Sequence, residues 1–216
     1  MSYRKKVFII TLGFDEKFAL RCLFRNGVEE GDRVILLASS DDNRVKSAFE
    51  NVRRIVEKTF EGEIKVELEK VNVRNFTEAV KYVKKIIDAC GSSSIILNLS
   101  GGMRALVITA FMSCLLSESK SVKVEVELED FSGVVEIPAS IPGSFKSIAR
   151  LSKEEREIVE KLKEKPSSAK ELSKLLGKDE ITIRRSLYRL EELCVVRRIP
   201  GWPARVELTE IGRLLA

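Results

Sequence analysis

The sequence predicts an α/β chain: a mostly parallel sheet with helices on both faces, followed by a small module of three helices, a β-hairpin and a short closing helix. Three observations lead there. Short runs rich in β-branched and apolar residues alternate with stretches of helical periodicity through the first 140 residues. Several of those runs, such as Val7 to Ile10 and Val34 to Ala38, are apolar at every position, which is how strands covered on both faces read. Beyond residue 150 the pattern changes to closely spaced helices, two of them opened by capping boxes.

The first strand is Lys6 to Thr11. Leu12-Gly13-Phe14 turns the chain into a helix over Asp15 to Asn26, with Phe18, Leu20, Cys22 and Leu23 at helical spacing. Gly27 and Gly31 precede a second buried strand, Arg33 to Ala38. A charged helix over Asp42 to Phe60 carries Val45, Phe49, Val52, Ile55 and Val56 on one face. Ile64 to Val71 alternates as a third strand, and Phe76 to Cys90 forms a helix around Ala79, Val80, Val83, Ile86 and Ile87. The fourth strand, Ile95 to Leu99, runs through Ser100-Gly101-Gly102-Met103-Arg104 into an apolar helix over Ala105 to Leu116. Val122 to Leu128 and Val134 to Pro138 complete the region as two strands joined near Ser132-Gly133. Residues 139–150 hold Pro142-Gly143-Ser144 and little periodicity, which predicts a boundary: one domain over 1–140, a linker over 141–150 and a second domain over 151–216.

Strands alternating with helices imply a parallel sheet, and ligands in such sheets sit at the carboxyl ends of the strands, where strand order reverses. In a Rossmann-like order the first and fourth strands flank that point. Their exits, Thr11-Leu12-Gly13-Phe14 and Asn98 to Arg104, both carry glycine and both lead into helix N-termini. Unpaired N–H groups and the helix dipole favour anions there, phosphates above all. Gly101 and Gly102 let the backbone approach a bound group, and Arg104 adds a fixed charge with a planar fork of donors. Ser39 and Ser40, leaving the second strand, reach toward the same crevice. The candidate ligand-binding residues are therefore Thr11, Leu12, Gly13, Phe14, Ser39, Asn98, Ser100, Gly101, Gly102, Met103 and Arg104. Neither GxGxxG nor GxxxxGK[ST] occurs, which argues against NAD, FAD and ATP hydrolysis.

Composition narrows the chemistry further. The chain has no histidine, so the usual general base and the commonest metal ligand are missing. Cys22, Cys90, Cys114 and Cys194 lie far apart among apolar helical residues, which predicts reduced core thiols rather than disulfides or a metal site. No catalytic residue set and no cofactor is expected, and the chain reads as a non-enzyme. No apolar run is long enough to span a bilayer, and residues 1–6 lead into a strand without a signal-like segment, so a cytoplasmic protein without membrane contact is expected. The net charge of +5 is mild for a chain that is 33% charged, so the placement of charge matters more than its sum.

In the second domain, Ser152-Lys153-Glu154-Glu155 and Ser168-Ala169-Lys170-Glu171 are capping boxes. They open helices that turn Ile158, Val159 and Leu162, then Leu172, Leu175 and Leu176, inward. Gly177 ends the second, and a third helix starts near Asp179 and buries Ile183, Leu187, Leu190 and Cys194. Val195 to Pro200 and Arg205 to Leu208 form hairpin strands with Trp202 packed at the tip, and residues 209–215 close with a short helix. Helix, turn, helix, then two strands is a winged helix-turn-helix plan. Thr182, Arg184, Arg185, Tyr188 and Arg189 then face outward on the third helix, with Lys178 before it and Arg197, Arg198 and Arg205 on the wing. Arginine suits both guanine edges and phosphates, so these nine residues are the candidate contacts to double-stranded DNA.

Residues 181–191, from Ile181 to Glu191, and 206–212, from Val206 to Gly212, resemble the recognition helix and wing exit of winged-helix regulators of the ArsR and MarR kind. Together with Thr11-Leu12-Gly13-Phe14-Asp15-Glu16 and Asn98-Leu99-Ser100-Gly101-Gly102-Met103-Arg104, the whole chain resembles archaeal CRISPR-associated transcriptional regulators with an N-terminal CARF domain. Asn98 departs from that family, where Asp is frequent. The resemblance implies a homodimer in antiviral defence whose paired CARF domains bind a cyclic oligoadenylate, first of all cyclic tetra-adenylate, as a regulatory ligand. It also implies binding to CRISPR or cas promoters. The resemblance also allows two rival readings: a slow ring nuclease, as some CARF domains are, with Ser100 and Arg104 orienting the reaction, or a nucleic-acid-binding adaptor of a CRISPR complex without a signalling ligand.

Overall fold

Six strands form one sheet in the N-terminal part: β1 (Lys6–Thr11), β2 (Arg33–Ala38), β3 (Lys65–Lys70), β4 (Ser94–Asn98), β5 (Val122–Glu127) and β6 (Val134–Ile137). The computed structural model describes residues 5–60, 64–91, 93–119, 122–139, 141, 142, 145, 148 and 151–216. The strand order is β3-β2-β1-β4-β5-β6, with every neighbouring pair parallel except β5 and β6. Four helices join the strands: α1 (Lys17–Asn26), α2 (Asn43–Thr59), α3 (Phe76–Ala89) and α4 (Arg104–Leu116). This is the Rossmann-like order expected, and it places the reversal of strand order between β1 and β4.

Alternation along each strand feeds two cores. Phe8, Ile10, Val34, Leu36 and Ile96 pack with α1 and α2 through Ala19, Cys22, Leu23, Val45, Ala48 and Val52. Val7, Ile9, Ile35, Leu37, Ile95 and Leu97 pack with α3 and α4 through Ala79, Val83, Ile87, Leu106 and Ala110. Phe8, Ile9 and Ile10 are all fully buried, which is why β1 reads as apolar throughout. Burying each such side chain contributes about 1.5–3 kcal/mol. β5 alternates instead: Val122 and Val124 join the α3/α4 core, while Glu125 and Glu127 point to the α1 face and are buried there.

The helix starts obey local chemistry. Asp42 caps α2 by accepting from Arg44 N–H, and Asn75 caps α3 by accepting from Glu78 N–H. α1 begins at Lys17 rather than Asp15, because Asp15 uses its carboxylate to accept the Lys17 N–H and stays outside the helix.

The chain divides into two compact units, Met1–Gly143 and Ser144–Ala216. Within 141–150, read from the sequence as irregular, the described residues Ile141, Pro142, Phe145 and Ile148 are helical. The second unit contains α5 (Lys153–Leu162), β7 (Ser167–Ser168), α6 (Ala169–Leu176), α7 (Glu180–Glu192), β8 (Val196–Ile199), β9 (Arg205–Leu208) and α8 (Glu210–Leu215). A three-stranded antiparallel sheet runs β7-β9-β8. Both predicted capping boxes are closed in both directions. Ile158, Val159, Leu162, Leu172, Ile183, Leu190, Val195 and Ile211 are buried in this unit.

Three expectations here are corrected. Leu175 faces solvent, because the short helix α6 turns only Leu172 fully inward. Cys194 is exposed, not buried: α7 ends at Glu192, and Cys194 follows in a left-handed conformation at φ 56°. Its N–H donates to Glu191 C=O and the next N–H, of Val195, donates to Leu190 C=O, a Schellman closure with cysteine where glycine is usual. Trp202 is not packed at the hairpin tip: it is 97% exposed there.

Candidate functional site

A crevice of about 620 Å³ opens at the carboxyl ends of the strands, where β1 and β4 part. It is lined by both predicted exits: Leu12, Gly13 and Phe14 after β1, and Ser100, Gly101, Gly102 and Met103 after β4, with Ser39 and Ser40 after β2. The two glycine loops lie directly against each other. A Cβ on Gly101 would stand 2.7 Å from the Thr11 carbonyl oxygen, and one on Gly13 would stand 2.9 Å from the Gly102 nitrogen. The glycines are therefore required by the approach of loop to loop, which sequence reasoning had attributed to a ligand. The contact fixes the crevice floor before anything binds.

Three predicted residues are not part of the lining. Thr11 is buried and its hydroxyl donates to the Asn98 carbonyl at 3.3 Å. Asn98 is fully buried as well; its amide donates to Glu125 at 3.0 Å and its side-chain oxygen accepts the Ser100 N–H at 3.1 Å. Arg104 is exposed in the first turn of α4, outside the lining.

The structure adds walls the sequence reading missed: Asp15, Phe18 and Val45 from the α1 and α2 sides, and Glu129 and Phe131 from the β5–β6 connection. Phe131 has φ 59°, and its ring meets that of Phe18 at 5.3 Å. Arg21 lies over Phe131 at 5.0 Å, and Arg44 lies over Phe14 at 3.7 Å. The only advance signal was aromatic residues in loops, which carries no address until the sheet is assembled.

The wall chemistry is mixed. The first turn of α4 has no acid and no side-chain cap, so its end of the crevice favours negative charge. Asp15 and Glu129 disfavour phosphate at their positions and suit hydroxyl or amine donors instead. The lining thus offers separate surfaces to anionic, apolar and hydrogen-bond-donating groups.

Beneath the crevice lies a buried ion network. Arg25 donates to Glu125 at 2.7 Å and to Glu127 at 3.1 Å, Arg21 also binds Glu127, and Asn26 donates to both Glu125 oxygens at 3.2 Å. Burial alone would raise the Glu125 carboxyl, but hydrogen bonds, that from Arg25 foremost, outweigh it and hold it below the usual range. Burial, with Glu125 close by, pushes the neighbouring Cys22 thiol well up. Among the described residues no cluster of His, Cys, Asp or Glu has the arrangement to hold a metal ion, and no helix is long and apolar enough to cross a membrane.

In the second unit, α7 presents Arg184, Arg185, Tyr188 and Arg189 outward, as spacing predicted. Most candidate cations already have acids. Arg184 pairs with Glu180 at 2.6 Å, Arg197 with Glu207 at 2.7 Å, Arg198 with Glu191 at 3.0 Å and Arg205 with Glu171 at 3.0 Å. Arg189 reaches the buried Glu155 at 3.3 Å and Lys178 reaches Glu157 at 3.1 Å, so both tie their surroundings to α5. Thr182 bonds the capping Asp179 through its N–H at 2.9 Å. Arg185 shows no ion pair among the described residues.

Residues 6–138 match the family described as the Csa3 CRISPR-associated Rossmann-like domain. A protein of Saccharolobus solfataricus, the CRISPR locus-related Csa3, whose name provisionally assigns it to DNA binding, is 23% identical over 210 residues, covering 96% of this chain and 86% of its own. Among solved structures, Enterococcus italicus Csm6 bound to cyclic hexa-2′-fluoro-hexa-dAMP aligns with a TM-score of 0.51 at 12% identity. That alignment covers 88% of this chain but only 52% of the Csm6 chain, about half its length, and the likeness is one of fold. With the family match spanning most of the chain and its strand order and crevice in place, this chain belongs to the Csa3 family of CRISPR-associated Rossmann-like proteins.

Proposed function

We propose that the protein is a homodimeric, ligand-responsive regulator of transcription at CRISPR loci. Its N-terminal units bind a cyclic oligoadenylate, cyclic tetra-adenylate first of all. Its C-terminal unit is a winged helix-turn-helix that binds promoter DNA. The observation that carries the reading is the preformed crevice at the β1/β4 reversal, with an anion-favouring helix end, aromatic walls and acids set apart from both. Phosphate, base and ribose each find a matching surface there. A crevice of this size takes a drug-sized ligand, ~300–1,000 Å³. A ring of four nucleotides outgrows it, so a second copy related by a two-fold axis would supply the other half. The Csm6 neighbour is bound to a cyclic hexanucleotide, which agrees with this class of ligand.

For DNA, the supporting feature is α7 with Arg184, Arg185 and Tyr188 beside the β8–β9 hairpin, arranged as a recognition helix and a wing. Ligand and DNA are coupled if the ligand prefers the dimer pose that matches operator spacing, and the coupling is no larger than that preference. The reading is of a cytoplasmic sensor rather than an enzyme: the Ser100 oxygen accepts the Glu127 N–H, and no general base contacts it among the described residues.

Calorimetric titration with cyclic tetra- and hexa-adenylate, followed by promoter binding with and without the tighter ring, tests the reading. Saturable binding and a ligand-dependent DNA affinity are expected. Equal DNA affinity in both states refutes the switch. Failure to bind either ring favours the adaptor reading, and linear product after incubation makes the protein a ring nuclease.

A further inference from the structure

Parallel register places Asn98 of β4 beside Glu125 of β5, and alternation turns both toward α1. A carboxylate only accepts hydrogen bonds, so Glu125 selects the NH2 side of the Asn98 amide. That choice leaves the Asn98 oxygen facing the Ser100 N–H, which donates to it at 3.1 Å. From the next inward position of β5, the Glu127 N–H donates to the Ser100 hydroxyl oxygen at 2.8 Å. Ser100 is thus held at its nitrogen and its oxygen, and it lines the crevice. Its hydroxyl hydrogen has no acceptor among the described residues.

We propose that Asn98 and Glu125 form a buried pair that holds a single negative charge and sets Ser100 as a hydrogen-bond donor to an anionic group in the crevice. Asn98 and Glu125 are positioning residues in this scheme, and Ser100 touches the ligand. The donor role rests on the nucleotide-binding reading above; the pair itself does not.

The local charge supports one carboxylate at this spot and not two. Cys22, Arg25 and Asn26 of α1, Asn98 of β4 and Lys123 of β5 face Glu125. Arg25 is shared with Glu127, and Lys123, 3.6 Å from Glu125, is also bound to Glu136 of β6 at 2.6 Å. Arg21, Arg25 and Lys123 therefore stand against Glu125, Glu127 and Glu136, and the balance is already even. A carboxylate at position 98 would sit against Glu125 with no further cation among the described residues to balance it, and two such groups cannot both ionise.

Asn98→Asp and the double variant Asn98→Asp/Glu125→Gln test this, with thermal melting and calorimetric binding of cyclic tetra-adenylate measured from about pH 5 to pH 8. The wild type is expected to be flat across this range in both. Asn98→Asp is expected to melt progressively lower as pH rises, and to bind at pH 5, where the pair shares a proton, but about tenfold or more weaker at pH 8. The double variant moves the single charge to position 98 and restores flat melting and near-wild-type affinity. A pH-independent Asn98→Asp, or a double variant that fails to recover, overturns the proposal. If Asn98→Asp does not fold at pH 8, recovery in the double variant decides the matter. If the wild type binds no ring, the crevice reading and the donor role of Ser100 fall together, while the single-charge pair is still judged by melting.

Discussion

Replacing Arg25 with methionine removes the guanidinium that bridges Glu125 and Glu127 and keeps most of the side-chain volume. Breaking a fully buried pair costs about 3–5 kcal/mol, chiefly because the surviving charge is stranded. Here Arg25 is 31% exposed, Glu125 keeps Asn26 and Asn98, and Glu127 keeps Arg21, so the low end applies, about 3 kcal/mol. For a domain of this size that corresponds to a fall in Tm of roughly 6–12 °C. The effect has a pH signature. In the wild type, Glu125 is held below the usual range, so it contributes stability that is present above the unfolded carboxyl value, about 4.3, and lost as pH falls through the folded value. In the variant Glu125 stays buried and keeps Asn26, Asn98 and the more distant Lys123, but it loses its foremost donor, so its carboxyl rises instead; the cost is full at neutral pH and is relieved as pH falls toward that same unfolded value. The Tm difference should therefore be largest near pH 7 and shrink toward about pH 4. Circular dichroism melts of both proteins across this range measure it. A difference below about 2 °C at pH 7, or one that does not change with pH, would refute the argument.

Four further outcomes are expected. Gly101→Ala pushes a methyl group to 2.7 Å from the Thr11 carbonyl, so the two loops must separate, at a cost of about 1–3 kcal/mol read by urea unfolding; an unchanged midpoint would show that the loops do not touch. Cys194→Gly relieves the left-handed residue after α7 and should raise stability by about 1 kcal/mol, while removing the one exposed thiol of the four from reaction with Ellman's reagent. Arg185→Ala should weaken promoter binding by about 1–3 kcal/mol in an anisotropy titration without moving the Tm, because this side chain makes no ion pair among the described residues. Trp202 is the single tryptophan, so emission at long wavelength and full quenching by acrylamide should report its exposed site directly; a blue-shifted spectrum would contradict the hairpin tip described above.

The site was legible in part, and the limits have physical causes. The glycine-bearing exits of β1 and β4 stand out because strand runs, glycines and helix starts are local signals, and the structure brings Leu12 to Phe14 and Ser100 to Met103 into one crevice. Glu129 and Phe131 escaped notice because loop residues declare no partner until β5 and β6 are paired. Arg189 faces outward by its helical spacing and Lys178 stands just before that helix, yet α5 supplies acids that engage both. Spacing places a side chain on a face but does not tell what the neighbouring helix offers it.

The sequence by itself determined the order of strands and helices, the helix caps, the strands covered on both faces and the two glycine loops, because each depends on residues within a few positions of one another. Only the tertiary structure decided what those features do. It showed that Gly13, Gly101 and Gly102 are spent on loop-to-loop contact. It turned Thr11 and Asn98 into supports under the crevice. It also buried Glu125 and Glu127 beneath α1, although the alternation of β5 reads as one face in the core and one in water. Burial of a charge depends on what a distant segment brings to it. Here that is Arg21 and Arg25, about a hundred residues earlier in the chain, a separation that no local pattern spans.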